Sequence, residues 1–183
     1  MAASAIAKTF REVAPAVEFW SLRAVTERGE ELSVVRGVVQ PPRLYRDRGA
    51  MVTVIDGGGM GYAATADLTP DGLRRAAEKA RDWAHRTAAR SLFDVARIPR
   101  EARRGEYRTP SRIPWGSVPL GDKIDLLRRQ NERLRIDERV VDWGAALWHA
   151  EVESALFTSE GGSIEQLFHY VLPTMSATVS MRG

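Results

Sequence analysis

The segment from Thr69 to Ala89 constrains this chain more than any other, because it can only be a helix and it is flanked on both sides by strand-like sequence. Thr69 suits an N-cap, Pro70 the first helical position, and Asp71 the positive N-terminal end. Leu73, Ala76, Ala77, Ala80, Trp83, Ala84 and Ala88 then recur at helical spacing, giving one apolar face over about 70–90. The alanines on that face predict close packing against a sheet. A second helix is expected over about 119–135, with Leu120, Ile124, Leu127 and Leu134 on one side. A short one is expected over Ser4–Val13, through Ile6, Phe10 and Val13.

The flanks read as strands. Val17–Thr26 and Leu32–Val39 form a pair joined by a turn at Glu27-Arg28-Gly29-Glu30, and Pro41-Pro42 ends the second. A polar stretch, Arg43–Arg48, follows. Met51–Ile55 and Met60–Ala66 form a hairpin across Asp56-Gly57-Gly58-Gly59. After a long connection over 91–116, which holds Pro99, Pro110 and Pro114, four strands are expected near Val140–His149, Glu151–Thr158, Ile164–Tyr170 and Thr174–Met181, with a turn at Ser159-Glu160-Gly161-Gly162. Strands in runs and helices in runs predict an α+β fold: a mostly antiparallel sheet from two β-meanders with two main helices between them. The 183 residues are expected to form a single domain, 1–183.

Composition removes several functions. With no cysteine there is no disulfide scaffold, thiolate zinc site or thiol catalysis. No apolar run is long enough to span a bilayer, and no secretory signal opens the chain. Lysine occurs only at Lys8, Lys79 and Lys123, so the remaining basic residues are arginine, and the net charge is only +3, which does not by itself point to nucleic acid.

The motifs argue mostly by exclusion. Gly57 and Gly59 are followed by Tyr62 where a dinucleotide fingerprint needs its third glycine, and no Gly-x-x-x-x-Gly-Lys occurs, so 56–61 reads as a glycine-rich hairpin. Neither His-Glu-x-x-His, His-Glu-x-x-x-His nor Gly-x-Ser-x-Gly is present. His149, Glu151 and Glu153 alternate on one strand face and offer ligand chemistry. One strand rarely encloses a metal, however, and an exposed face opposite Trp148, Ala150 and Val152 is the expectation. His85 and His169 read as structural or solvent-facing. No catalytic, cofactor-binding or metal-binding residue is assigned. Arg97, Arg100, Arg103, Arg104, Arg108 and Arg112 crowd the 97–112 loop, and an acidic partner or nucleic acid contacted there is the alternative reading. Most of the tryptophans are expected in the core, with Trp115, between Pro114 and Gly116, a candidate anchor for a partner.

One stretch, Arg48-Gly49-Ala50-Met51-Val52-Thr53-Val54-Ile55-Asp56-Gly57-Gly58-Gly59-Met60-Gly61-Tyr62-Ala63-Ala64-Thr65-Ala66-Asp67-Leu68-Thr69, resembles the N-terminal domain of the TldD/PmbA family. Its marks are a glycine-led strand, a Gly-x-x-Gly-Tyr-Ala hairpin and Thr-x-Asp-Leu before an alanine-rich helix, here Leu73–Ala89. The resemblance implies a cytoplasmic metalloprotease system, once described as a modulator of DNA gyrase, acting on unfolded or extended peptides. It implies a sister subunit as partner, in a homo- or heterodimer, and no membrane. The family's zinc is held by a His-Glu-x-x-x-His helix and a cysteine in a later domain, and this chain has neither. The resemblance therefore implies an isolated N-terminal scaffolding domain, with the catalytic domain absent from this chain. The zinc belongs to that domain, so hydrolysis by this chain alone is not expected.

Overall fold

A computed structural model describes residues 3–181, apart from 91, 93, 94, 96, 97 and 99. The elements run α1 (Ala3–Val13), β1 (Phe19–Val35), β2 (Val38–Val39), β3 (Arg43–Asp56), β4 (Gly59–Thr65), α2 (Pro70–Ala88), β5 (Arg104–Arg108), a 3-10 turn (Trp115–Ser117), α3 (Leu120–Leu134), β6 (Val140–Thr158) and β7 (Ser163–Val179). The strands form one seven-stranded sheet in the order β4-β3-β1-β6-β7-β5, with β2 paired to β1. The fold is α+β and mostly antiparallel, as the order of elements predicts. The exception is β5, which runs parallel to β7 in the register Arg104↔Ser163 to Arg108↔Leu167.

The long strands correct the expected boundaries. No turn interrupts Glu27–Glu30; β1 runs straight through it. Gly29 is there for space, because a Cβ at that position would sit about 2.0 Å from the Tyr45 ring. The turn lies further on, at Arg36-Gly37, where both residues have positive φ (49° and 79°) and Val35 pairs with Val38. That is the backbone of a two-residue hairpin whose twist matches its strands. The polar Arg43–Arg48 stretch is not a connection but the first half of β3. The expected four C-terminal strands are two, because Ala150, Pro173 and their neighbours continue the extended backbone. Part of the 91–116 connection is strand β5, and Arg97 and Pro99 lie outside the described residues.

Two compact units can be distinguished. The first comprises residues 1–26, 47–108 and 152–167. Its core joins Ile6, Phe10, Trp20, Leu22, Val52, Val54, Leu73, Ala77, Ala80, Ala84 and Phe157. Here α2 lies on β4, as its alanine face predicts. Gly59 and Gly61 permit this: a Cβ on either would come within about 2.1 Å of a helix carbonyl, that of Ala84 or Ala80. The other two glycines of the run, Gly57 and Gly58, take positive φ in the β3–β4 turn. The Asp56–Gly61 stretch thus needs its glycines for a turn and a close approach, with no phosphate involved. Trp83 is the one face residue that departs from expectation. It is 47% exposed, under Arg86, because its position lies at the edge of the buried stripe.

The Thr-x-Asp-Leu motif has a physical account. Thr65 Oγ1 accepts from Asp67 N–H, Asp67 Oδ1 accepts from both N–H and hydroxyl of Thr69, and Thr69 Oγ1 accepts from Gly72 N–H. Each side chain satisfies a backbone donor that the strand has released and the helix has not yet taken up.

The second unit comprises residues 27–46, 109–151 and 168–183. Its core holds Leu32, Val34, Leu127, Ala145 and Leu147. The buried stripe of α3 is Lys123, Leu127 and Asn131, with Ile124 beside it. This corrects the expected face, since Leu120 is 48% exposed and two of the buried positions are polar. Both polar residues have specific partners.

Candidate functional site

The second unit carries a constellation that combines a groove with buried polar groups. A groove of about 580 Å³ is lined by Arg28 and Glu30 of β1, Leu44 of β3, the 111–118 segment, His149 and Glu151 of β6, and His169 and Val171 of β7. Strand alternation aims these residues, since i and i+2 share a face.

At its floor is a stack. The rings of Trp115 and His149 lie 4.7 Å apart and within 2° of parallel. Lys123 Nζ sits 3.8 Å from the centre of the Trp115 ring, and the His169 ring lies 6.2 Å from that of His149. Lys123 Nζ also pairs with Glu30 Oε2 at 3.3 Å, and Trp115 Nε1 donates to the same carboxylate. One carboxylate thus neutralises a buried ammonium and satisfies an indole N–H, which is what lets both be buried. At the rim, Glu151 lies 3.5 Å from Arg28 and 3.9 Å from His169.

His149 is not on an exposed face, as expected from sequence, but 9% exposed, and its Nε2 has no hydrogen-bond partner. Burial pushes its pKa down, and the neighbouring His169 and Lys123 push the same way, against the weaker pull of Glu151 and Glu30. The imidazole is held neutral. Trp115, the candidate partner anchor, is half-buried and fixed from within. Ser111 also lines the groove, but its hydroxyl donates to the Ile113 carbonyl rather than to a histidine. No nucleophile–base pair forms there.

His149, Glu151 and Glu153 do not converge on one point. Glu151 belongs to the rim pair, and Glu153, two residues on, is exposed. Among the described residues no three His, Asp or Glu side chains come together in a way that could hold a metal ion. His85 is committed to a structural contact, its Nε2 lying 2.8 Å from Asp56 Oδ2 and tying the end of α2 to the β3–β4 turn.

Three arginines of the cluster, Arg100, Arg103 and Arg108, lie against carboxylates. Arg103 pairs with Glu101 and Arg108 with Glu106, each at 2.8 Å, while Arg104 donates to the Gly161 carbonyl. Arg100 stacks over Phe19 at 4.6 Å and approaches Glu160 at 3.7 Å. An anion-binding surface needs cations without such partners.

Asn131 anchors the Arg36-Gly37 turn. Its Oδ1 accepts from Gly37 N–H (2.8 Å) and Trp143 Nε1 (3.0 Å), and its Nδ2 donates to the Val34 carbonyl (2.9 Å). Sequence reasoning missed Lys123, Asn131 and Glu30. The available signal was the four-residue spacing Lys123–Leu127–Asn131 in a chain with only three lysines. A lysine there reflects the need for a compact ammonium over an indole.

These features define a class: an α+β fold with a glycine-tight helix–sheet layer in its first unit and a groove with buried polar groups in its second. Residues 20–84 match the family model described as PmbA/TldA metallopeptidase domain 1. Three solved structures share the fold. One is a protein from Bacteroides thetaiotaomicron described as a candidate modulator of DNA gyrase (TM-score 0.70, 16% identity, 99% of this chain and 41% of that one). A second, similarly described, is from Thermotoga maritima (0.63, 16%, 90% and 37%). The third is TldE from Thermococcus kodakarensis (0.61, 14%, 96% and 39%). The chain thus spans about two-fifths of the length of each. Among curated proteins, none matches. No helix of the described residues is long and apolar enough to cross a membrane.

Proposed function

We propose that this chain is the non-catalytic N-terminal scaffolding domain of a TldD/PmbA-type metallopeptidase that degrades unfolded or extended peptides in the cytoplasm alongside a sister subunit. The observation that carries this reading is the match of residues 20–84 to the family's first domain. The chemistry of the chain supports it. A hydrolytic zinc needs three protein ligands and an open position, and neither the sequence nor the described residues supply them. In this reading zinc and substrate belong to a catalytic domain outside these residues, and the groove of the second unit serves packing.

The test is direct. The purified chain is incubated with an unstructured peptide, with added zinc and separately with a chelator. No cleavage is expected in either case. Chelator-sensitive cleavage by this chain alone overturns the reading.

A further inference from the structure

The 111–118 segment forms one wall of the groove and is irregular apart from its short 3-10 turn. Its hydrogen bonds run within the segment. Ser111 Oγ donates to the Ile113 carbonyl, the N–H and hydroxyl of Ser117 both donate to the Pro114 carbonyl, and Val118 N–H donates to the Trp115 carbonyl. Trp115 supplies its ties to the rest of the unit. The indole donates to Glu30 of β1, faces Lys123 Nζ of α3 and stacks on His149 of β6.

His149 is the weak point of that arrangement. It is buried, and its Nε2 meets no acceptor. A neutral imidazole tolerates this, because only one of its nitrogens carries a hydrogen. An imidazolium does not, because both nitrogens must donate. The charged and titratable groups around it are Arg28 and Glu30 of β1, Lys123 of α3, Glu151 of its own strand and His169 of β7. Leu44 of β3 and the segment's lining residues bring no charge. Both carboxylates are engaged already, Glu30 by Lys123 and Trp115, Glu151 by Arg28 and His169. A proton on His149 therefore puts a second cation against the Trp115 ring, with Lys123 Nζ 3.8 Å from its centre and one shared carboxylate for both. A buried charge without a partner is costly, and water reaching the ring relieves the cost. Strands and α3 are held by backbone ladders, so the irregular segment yields first.

We infer that residues 111–118 are a proton-gated strap: uptake of a proton by His149 frees Trp115 from its stack and opens the groove to water. The direction of the His149 pKa in the closed form, lowered chiefly by burial, agrees. In the open form the imidazole is hydrated and returns to its ordinary value near ~6.5, so the open form binds more protons. The open fraction then rises as pH falls below that value, by up to about tenfold per pH unit, until the closed form is itself protonated.

The inference goes beyond the scaffolding role and does not depend on it. The chain has five tryptophans, and nitrogen-15 labelling gives one indole N–H resonance for each. Trp115→Phe assigns the one bound to Glu30. On titration of the full chain from about pH 7.5 to about pH 5, the Trp115 resonance is expected to leave its hydrogen-bonded position, reversibly, while the other four stay. His149→Phe keeps a ring against Trp115 but takes up no proton, and is expected to hold that resonance in place throughout. His169→Gln removes a neighbouring positive charge that opposes protonation of His149, and is expected to move the midpoint to higher pH. A Trp115 resonance that stays in place down to about pH 5 overturns the inference. So does loss of all five resonances together, which is global unfolding. Release that persists in folded His149→Phe, or a midpoint unmoved in His169→Gln, overturns it as well.

Discussion

At the scale of single residues, His149 shows how a buried titratable group sets a pH dependence. Its pKa is lowered in the folded chain, so between that value and the ordinary imidazole value near ~6.5 the unfolded chain binds more protons than the folded one. Stability then falls as pH falls through this window and is fully retained above it. Melting temperature is expected to drop from pH 7 to pH 5, and His149→Phe, which keeps the stack with Trp115, is expected to flatten that drop. Thermal melts at several pH values check this. Glycines give a second contrast. Gly61→Ala forces a methyl into the Ala80 carbonyl and is expected to cost about 3 kcal/mol. Gly58→Ala meets open space and pays only for its positive φ, about 1 kcal/mol. Urea denaturation of both variants separates contact from conformation.

Elements show where sequence was legible and where it was not. α2 could be read almost to the residue, because its cap, proline and alanine stripe are local signals, and Thr69 does cap it. Thr69→Ala is expected to cost about 1 kcal/mol by denaturant titration. The strands were read too short. Gly29 and Pro173 look like punctuation locally, yet one makes room for the Tyr45 ring and the other sits on an open edge. The groove was invisible for the same reason. Glu30, Trp115, Lys123 and His149 come from three elements and a loop, and no spacing in the chain announces that they meet. Asn131 is the element-scale test, since it holds the β1–β2 turn to α3. Asn131→Leu strips partners from Gly37 N–H, Trp143 Nε1 and the Val34 carbonyl and is expected to cost about 3 kcal/mol, read by urea denaturation.

For the whole molecule, the donor inventory predicts indifference to metal. A chelator is expected to leave the melting temperature unchanged, as differential scanning calorimetry would show. The β5 pairing has a different consequence, in time rather than in energy. β5 is five residues long, exposed throughout, and its strand partner is a stretch of β7 some 59 positions later. On the ribosome it therefore emerges well before the chain that will hold it, and it waits unpaired while α3 and β6 are made. Closing it is a late step, and its amides should be the first of the sheet to exchange with deuterium.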